Sequence, residues 1–86
     1  MAEQEKEKIA KTLIEFENSF IDFRLIKQIQ TREQQNLEFE QGYSFDIILI
    51  YYSGEEEEFS YTTNELRNEK LEKLKAKLTK ALVLIL

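Results

Sequence analysis

The chain has 86 residues, 42% of them apolar and 34% charged, and its net charge is −5. That length allows one modest core and no second lobe, and the apolar share suits a soluble globular fold rather than a disordered tail. Cysteine and histidine are both absent, which excludes disulfides, thiolate nucleophiles, imidazole or thiolate metal sites and histidine-based proton transfer.

From Glu3 to Phe20 the apolar residues Ile9, Leu13, Phe16 and Phe20 fall at steps of four, three and four, with Ala10 and Ile14 widening the stripe. This spacing predicts an amphipathic helix over residues 1–20. The acids of EQEKEKIAK suit the positive end of its dipole. At Ile21 the period changes. Ile21, Phe23, Leu25 and Ile29 alternate with Asp22, Arg24 and Gln28, the pattern of a half-buried strand, and Asn18–Ser19 marks the turn into it.

Thr31 to Asn36 (TREQQN) is wholly polar and reads as a loop. Leu37 and Phe39 then form a short second strand, and Gln41–Gly42 closes a hairpin with glycine at a position that needs positive φ. Tyr43 to Tyr52 is the third strand. Phe45, Ile47, Leu49 and Tyr51 point to one face and Ile48, Ile50 and Tyr52 to the other, so both faces call for burial. After a Ser53–Gly54 turn, Glu55 to Tyr61 (EEEEFSY) returns as a fourth strand.

Thr62 and Glu65 have capping-box spacing and start a last helix, whose stripe is Leu71, Leu74, Leu78, Ala81, Leu82 and Ile85. Leu82 to Leu86 is apolar on every side and reads either as buried helix or as a short strand. The prediction is one α+β domain over residues 1–86 in the order αββββα. It has a helix at 1–20, a four-stranded antiparallel meander at 21–61 and a helix at 62–86.

No motif carries catalysis. The run Glu55–Glu58 sits on a strand, where successive side chains alternate in direction, so it does not aim four carboxylates at one ion. Its glycine precedes the acids, unlike a calcium loop. Gly42 and Gly54, the only glycines, form no phosphate-binding loop. A non-enzymatic protein with no cofactor and no metal is expected.

Charge is distributed unevenly. Residues 1–20 carry three basic and five acidic groups, residues 21–63 three and nine, and residues 64–86 six and three. An acidic middle disfavours direct nucleic-acid binding, which draws on lysine and arginine, and favours a protein partner with a basic surface. Glu38, Glu40, Glu55, Glu56, Glu57 and Glu58 form the expected acidic patch. Alternate acids on a strand lie about 6.6 to 7 Å apart, close to twice the roughly 3.4 Å phosphate step of a nucleic-acid strand, so the patch suits an inhibitor or nucleic-acid mimic. Ile48, Ile50 and Tyr52, with Leu82 and Ile85, form the expected apolar interface, most simply in a homodimer. A helix, a second copy or another protein would each cover that face. The alternative is a small-molecule or single-strand binder using the sheet's aromatic rings. The start AEQEKEK is not of signal-peptide type, and the longest apolar stretch near the end is far below the roughly 20 residues of a membrane span, so a cytoplasmic protein off the membrane is expected.

Overall fold

The computed structural model describes residues 13–85, and side chains up to Leu82. The elements are β1 (Leu13–Phe16), β2 (Ser19–Asp22), a 3-10 turn (Phe23–Leu25), β3 (Ile26–Gln35), β4 (Tyr43–Tyr51), β5 (Glu56–Tyr61) and α1 (Asn64–Ile85). β1 and β2 form a two-stranded antiparallel hairpin, and β3, β4 and β5 form a separate antiparallel sheet with β4 in the middle. This is an α+β architecture, but an N-terminal helix followed by a four-stranded meander is overturned. Residues 1–12 of that expected helix lie outside the described residues; the described part, residues 13–20, is strand and turn.

The reason lies in which apolar side chains are buried. Of the helical stripe Leu13, Phe16 and Phe20, only Phe16 is buried, whereas Ile14 and Phe16 alternate inward and Ile21 joins them from the facing strand. Phe16 pairs with Ser19 across a two-residue turn in which Glu17 and Asn18 have φ of 51° and 65°. Two successive positive φ values match the twist of a tight hairpin. Asn18 tolerates that region, and glutamate is strained in it.

The alternation expected from Ile21 onward is interrupted by Asp22. Its Oδ1 accepts from the Arg24 backbone N–H at 3.1 Å and its Oδ2 from the Arg24 guanidinium at 2.9 Å, capping the 3-10 turn. Ile21 therefore belongs to the hairpin, and the next strand begins only at Ile26. That strand runs through the segment expected as a loop. TREQQ is the second half of β3, because an edge strand with one solvated face accepts polar side chains while the ladder to β4 satisfies its backbone.

The expected second strand is instead a turn. Between β3 and β4, Phe39 N–H donates to the Asn36 carbonyl, Gly42 N–H to that of Phe39 and Asn36 N–H to that of Gly42. Gly42 takes φ of 82°, as a turn at this point demands.

β4 faces both ways. Ile47 and Leu49 are fully buried on its inner face, with Tyr51 beside them and Ile26, Ile29, Phe59 and Tyr61 on its neighbours. The hairpin residues Ile14, Phe16 and Ile21 cover this face together with Phe23 and the Leu71, Leu74, Leu78 and Ala81 stripe of α1. The rings of Phe16 and Phe59 meet edge to face at 5.0 Å between centroids. The opposite face carries Ser44, Asp46, Ile48 and Ile50.

α1 starts one residue later than the capping-box reading. Thr63 Oγ1 accepts from Leu66 N–H at 3.1 Å, while the Thr62 carbonyl accepts from the Gln41 side chain. The helix continues to Ile85, which settles the choice between helix and strand for residues 82–85; Leu86 lies outside the described residues.

Candidate functional site

The β4–β5 turn, the 3-10 turn and the β1–β2 hairpin meet at one end of the molecule. Tyr52 N–H donates to the Leu25 carbonyl at 2.9 Å, fixing the first of these against the second. Within the β4–β5 turn, Tyr51 N–H donates to the Glu55 carbonyl and Gly54 N–H to that of Tyr51, with Gly54 at φ of 93°. The result is an open groove of about 340 Å³ lined chiefly by Leu13, Phe20, Leu25, Tyr51, Tyr52 and Glu55.

Four of the groove side chains are large, apolar and solvent-facing: Phe20 is 74% exposed, Tyr52 71%, Leu25 55% and Leu13 36%. Single exposed apolar residues are ordinary; four lining one groove form a patch. Two acids also line it. The Arg24 guanidinium, hydrogen-bonded to Asp22, holds that carboxyl below its ordinary value. Glu55 is exposed and makes no ion pair among the described residues. Tyr51 donates its phenol to Glu57 Oε2 at 2.6 Å, and burial, that bond and the Glu55 charge together push its pKa up.

The strand register separates the six acids expected in one patch. Glu38 and Glu40 stand in the β3–β4 turn, at the Tyr43 end of β4, whereas Glu56 pairs with Ile50 near its other end. The nine residues of β4 span roughly 26 Å between those ends. Glu55 and Glu56 remain together at the groove end. Glu57 is taken up by Tyr51, and Glu58 by Arg32 at 2.9 Å.

The expected apolar interface is divided too. Ile48 is buried and Ile50 half-buried on the outer face of β4, Tyr52 lies past the end of β4 in the groove, and Leu82 is exposed on α1. The Ile85 side chain lies outside the described residues.

Around Ile48 the outer face is polar. Arg32 lies opposite Asp46 in the register, and its guanidinium bridges the Asp46 carboxylate at 3.3 Å and that of Glu58. Asp46 is fully buried; its Oδ1 accepts from Ser44 Oγ at 2.8 Å, and Ser44 Oγ accepts from the Asn36 amide. A buried carboxylate needs such partners, so this cluster is accounted for as structure. Of the sheet's aromatic rings, Phe59 packs against Phe16 and Tyr61 lies within the core, whereas Tyr43 is exposed and meets Phe45 edge to face.

Leu13, Phe20 and Leu25 escape the sequence reading as surface residues, because each fits an apolar stripe of the wrong element. The hairpin register turns Leu13 and Phe20 outward, and Leu25 ends the 3-10 turn that follows. Among the described residues no group of three or more acids is arranged to hold a metal ion, and no helix is long and apolar enough to cross a membrane. Comparison with protein-family models, curated proteins and solved structures gives no match to the chain.

Proposed function

We propose that the chain is a non-enzymatic protein–protein interaction module that works as a homodimer and captures a basic partner surface at the groove end. The carrying observation is the convergence of Leu13, Phe20, Leu25 and Tyr52 with the exposed Glu55 in one groove. Exposed apolar anchors supply contact area, and nearby carboxylates select cationic neighbours and speed encounter. The partner chemistry that fits is a segment alternating lysine or arginine with large apolar residues.

Titration of the labelled protein with a synthetic peptide alternating lysine and leucine tests this reading, followed through amide chemical shifts. Changes should concentrate at Leu13, Phe20, Leu25, Tyr52 and Glu55, and weaken in Glu55→Gln/Glu56→Gln. Rising salt should weaken binding only in part, since the apolar contacts persist as charges are screened. Shifts centred on Glu38 and Glu40, or spread evenly over the acidic surface, would remove the groove from the account.

A further inference from the structure

The chain reaches β1 at the groove. Leu13, the first residue of β1, lines it, and the β1–β2 ladder ends there with the pair Leu13–Asp22. Asp22 leads directly into the 3-10 turn that ends at Leu25, another lining residue. Residues 1–12, which lie outside the described residues, are therefore tethered at the groove itself.

The tethered sequence MAEQEKEKIAKT is uneven. Residues 1–5 carry Glu3 and Glu5 and no lysine, whereas residues 6–12 carry Lys6, Lys8 and Lys11 against Glu7 alone, with Ile9 as their one large apolar residue. The part nearer Leu13 thus has the chemistry that fits the groove, cations beside a large apolar side chain. Glu55 and Glu56, both exposed, supply the opposite charge at the same end. Ile9 stands four residues before Leu13, a span of up to about 14 Å, enough to bring it to side chains that line the same groove as Leu13. The groove's volume of about 340 Å³ is at the low end of the roughly 300 to 1,000 Å³ of ligand clefts, so it takes a short segment rather than a whole protein face.

We propose that residues 6–12 of the same chain are the groove's own occupant, with Ile9 among Phe20, Leu25 and Tyr52 and the lysines beside Glu55 and Glu56. The segment then competes with the basic partner for one site. The inference rests on the groove reading above and adds its regulation. A short tether gives the segment an effective concentration on the order of millimolar. A segment whose own dissociation constant is about 1 mM therefore fills the groove about half the time or more, and a partner's affinity falls by the fraction left open.

Amide chemical shifts of the full chain test this in the wild type, Ile9→Ser and Lys8→Gln/Lys11→Gln, first alone and then titrated with the peptide alternating lysine and leucine. Without peptide, both variants should shift the amides of Phe20, Leu25 and Tyr52 and leave Thr31 to Gln35 of β3 in place. With peptide, each variant should bind about twofold more tightly or better, because the groove has been vacated. Ile9→Ser changes no charge, so a gain there is not a general attraction for the cationic peptide. Variants whose groove shifts and peptide affinity match the wild type overturn the tethered occupant and leave the groove as a partner site. Groove shifts that fade on dilution of the wild type give the occupant to another copy and overturn the contact within one chain. A peptide that moves no groove amide in any of the three proteins overturns the groove reading and this inference with it.

Discussion

Replacing Glu17–Asn18 by Asn–Gly gives opposite signs for the two structures this segment can adopt. In the hairpin, Glu17 and Asn18 hold φ of 51° and 65°, and a non-glycine residue in that region is strained by roughly 1 to 2 kcal/mol. Asparagine at the first position and glycine at the second are the residues this turn favours. The substitution also removes the Glu17–Lys70 ion pair at 3.3 Å, a partly exposed contact whose loss takes back up to about 1 kcal/mol. The net expectation is a stabilisation of about 1 kcal/mol. If residues 13–20 were helical, the new glycine would instead destabilise by roughly half a kcal/mol. Urea unfolding followed by far-UV circular dichroism separates these outcomes. With a denaturant slope near the low end of about 1 to 3 kcal/mol per molar, the midpoint should rise by roughly 0.5 to 1 M. A midpoint that falls at unchanged slope would refute the hairpin.

Leu74→Ala should cost about 2 to 5 kcal/mol, because Leu74 is fully buried where α1 meets the sheet and hairpin; loss of less than about 1 kcal/mol in the same urea assay would place α1 elsewhere. Arg32→Gln should lower stability by leaving the buried Asp46 with Ser44 alone, and Asp46→Asn should be less harmful in that background than in the wild type, a coupling that a double-mutant cycle reads. Asp22 has a folded pKa below its unfolded value, so its contribution is present above about pH 4 and is lost as pH falls through the folded value; Asp22→Asn should therefore narrow the stability difference between pH 7 and pH 2.5. Tyr51 and Tyr61 have phenols pushed up chiefly by burial, with Glu57 and Glu17 adding to it. Their contribution is full below about pH 10 and is lost as pH rises further, so alkaline difference spectra should show late phenolate formation that coincides with unfolding, and Tyr51→Phe should reduce its amplitude.

The parts of the fold legible from the residues are those where local pattern and tertiary environment agree. Phe45 to Tyr51 alternates with apolar side chains on both sides, and it is the central strand. The turns at Gly42 and Gly54 need positive φ and have it, and Leu71, Leu74, Leu78 and Ala81 form the buried stripe of a helix. The misreadings arise where one pattern serves two structures. Leu13, Phe16 and Phe20 fit a helix as well as a hairpin until it is known that Ile14, rather than Leu13, is buried. TREQQ resembles a loop because nothing in its composition announces that β4 will satisfy its backbone. The candidate site suffers from the same gap. Tyr52 and Glu55 stand out in the chain, but their company of Leu13, Phe20 and Leu25 depends on how the hairpin docks, and the distance between Glu38 and Glu55 depends on strand register.

The groove exists because the β1–β2 hairpin lies against the inner face of the sheet beside the β4–β5 turn. A nuclear Overhauser experiment on aromatic protons tests that placement directly. The account predicts cross-peaks between the rings of Phe16 and Phe59, whose centroids are 5.0 Å apart, together with cross-strand contacts between Ile14 and Ile21. Sequential helical contacts through residues 13–20, with no Phe16–Phe59 cross-peak, would contradict it.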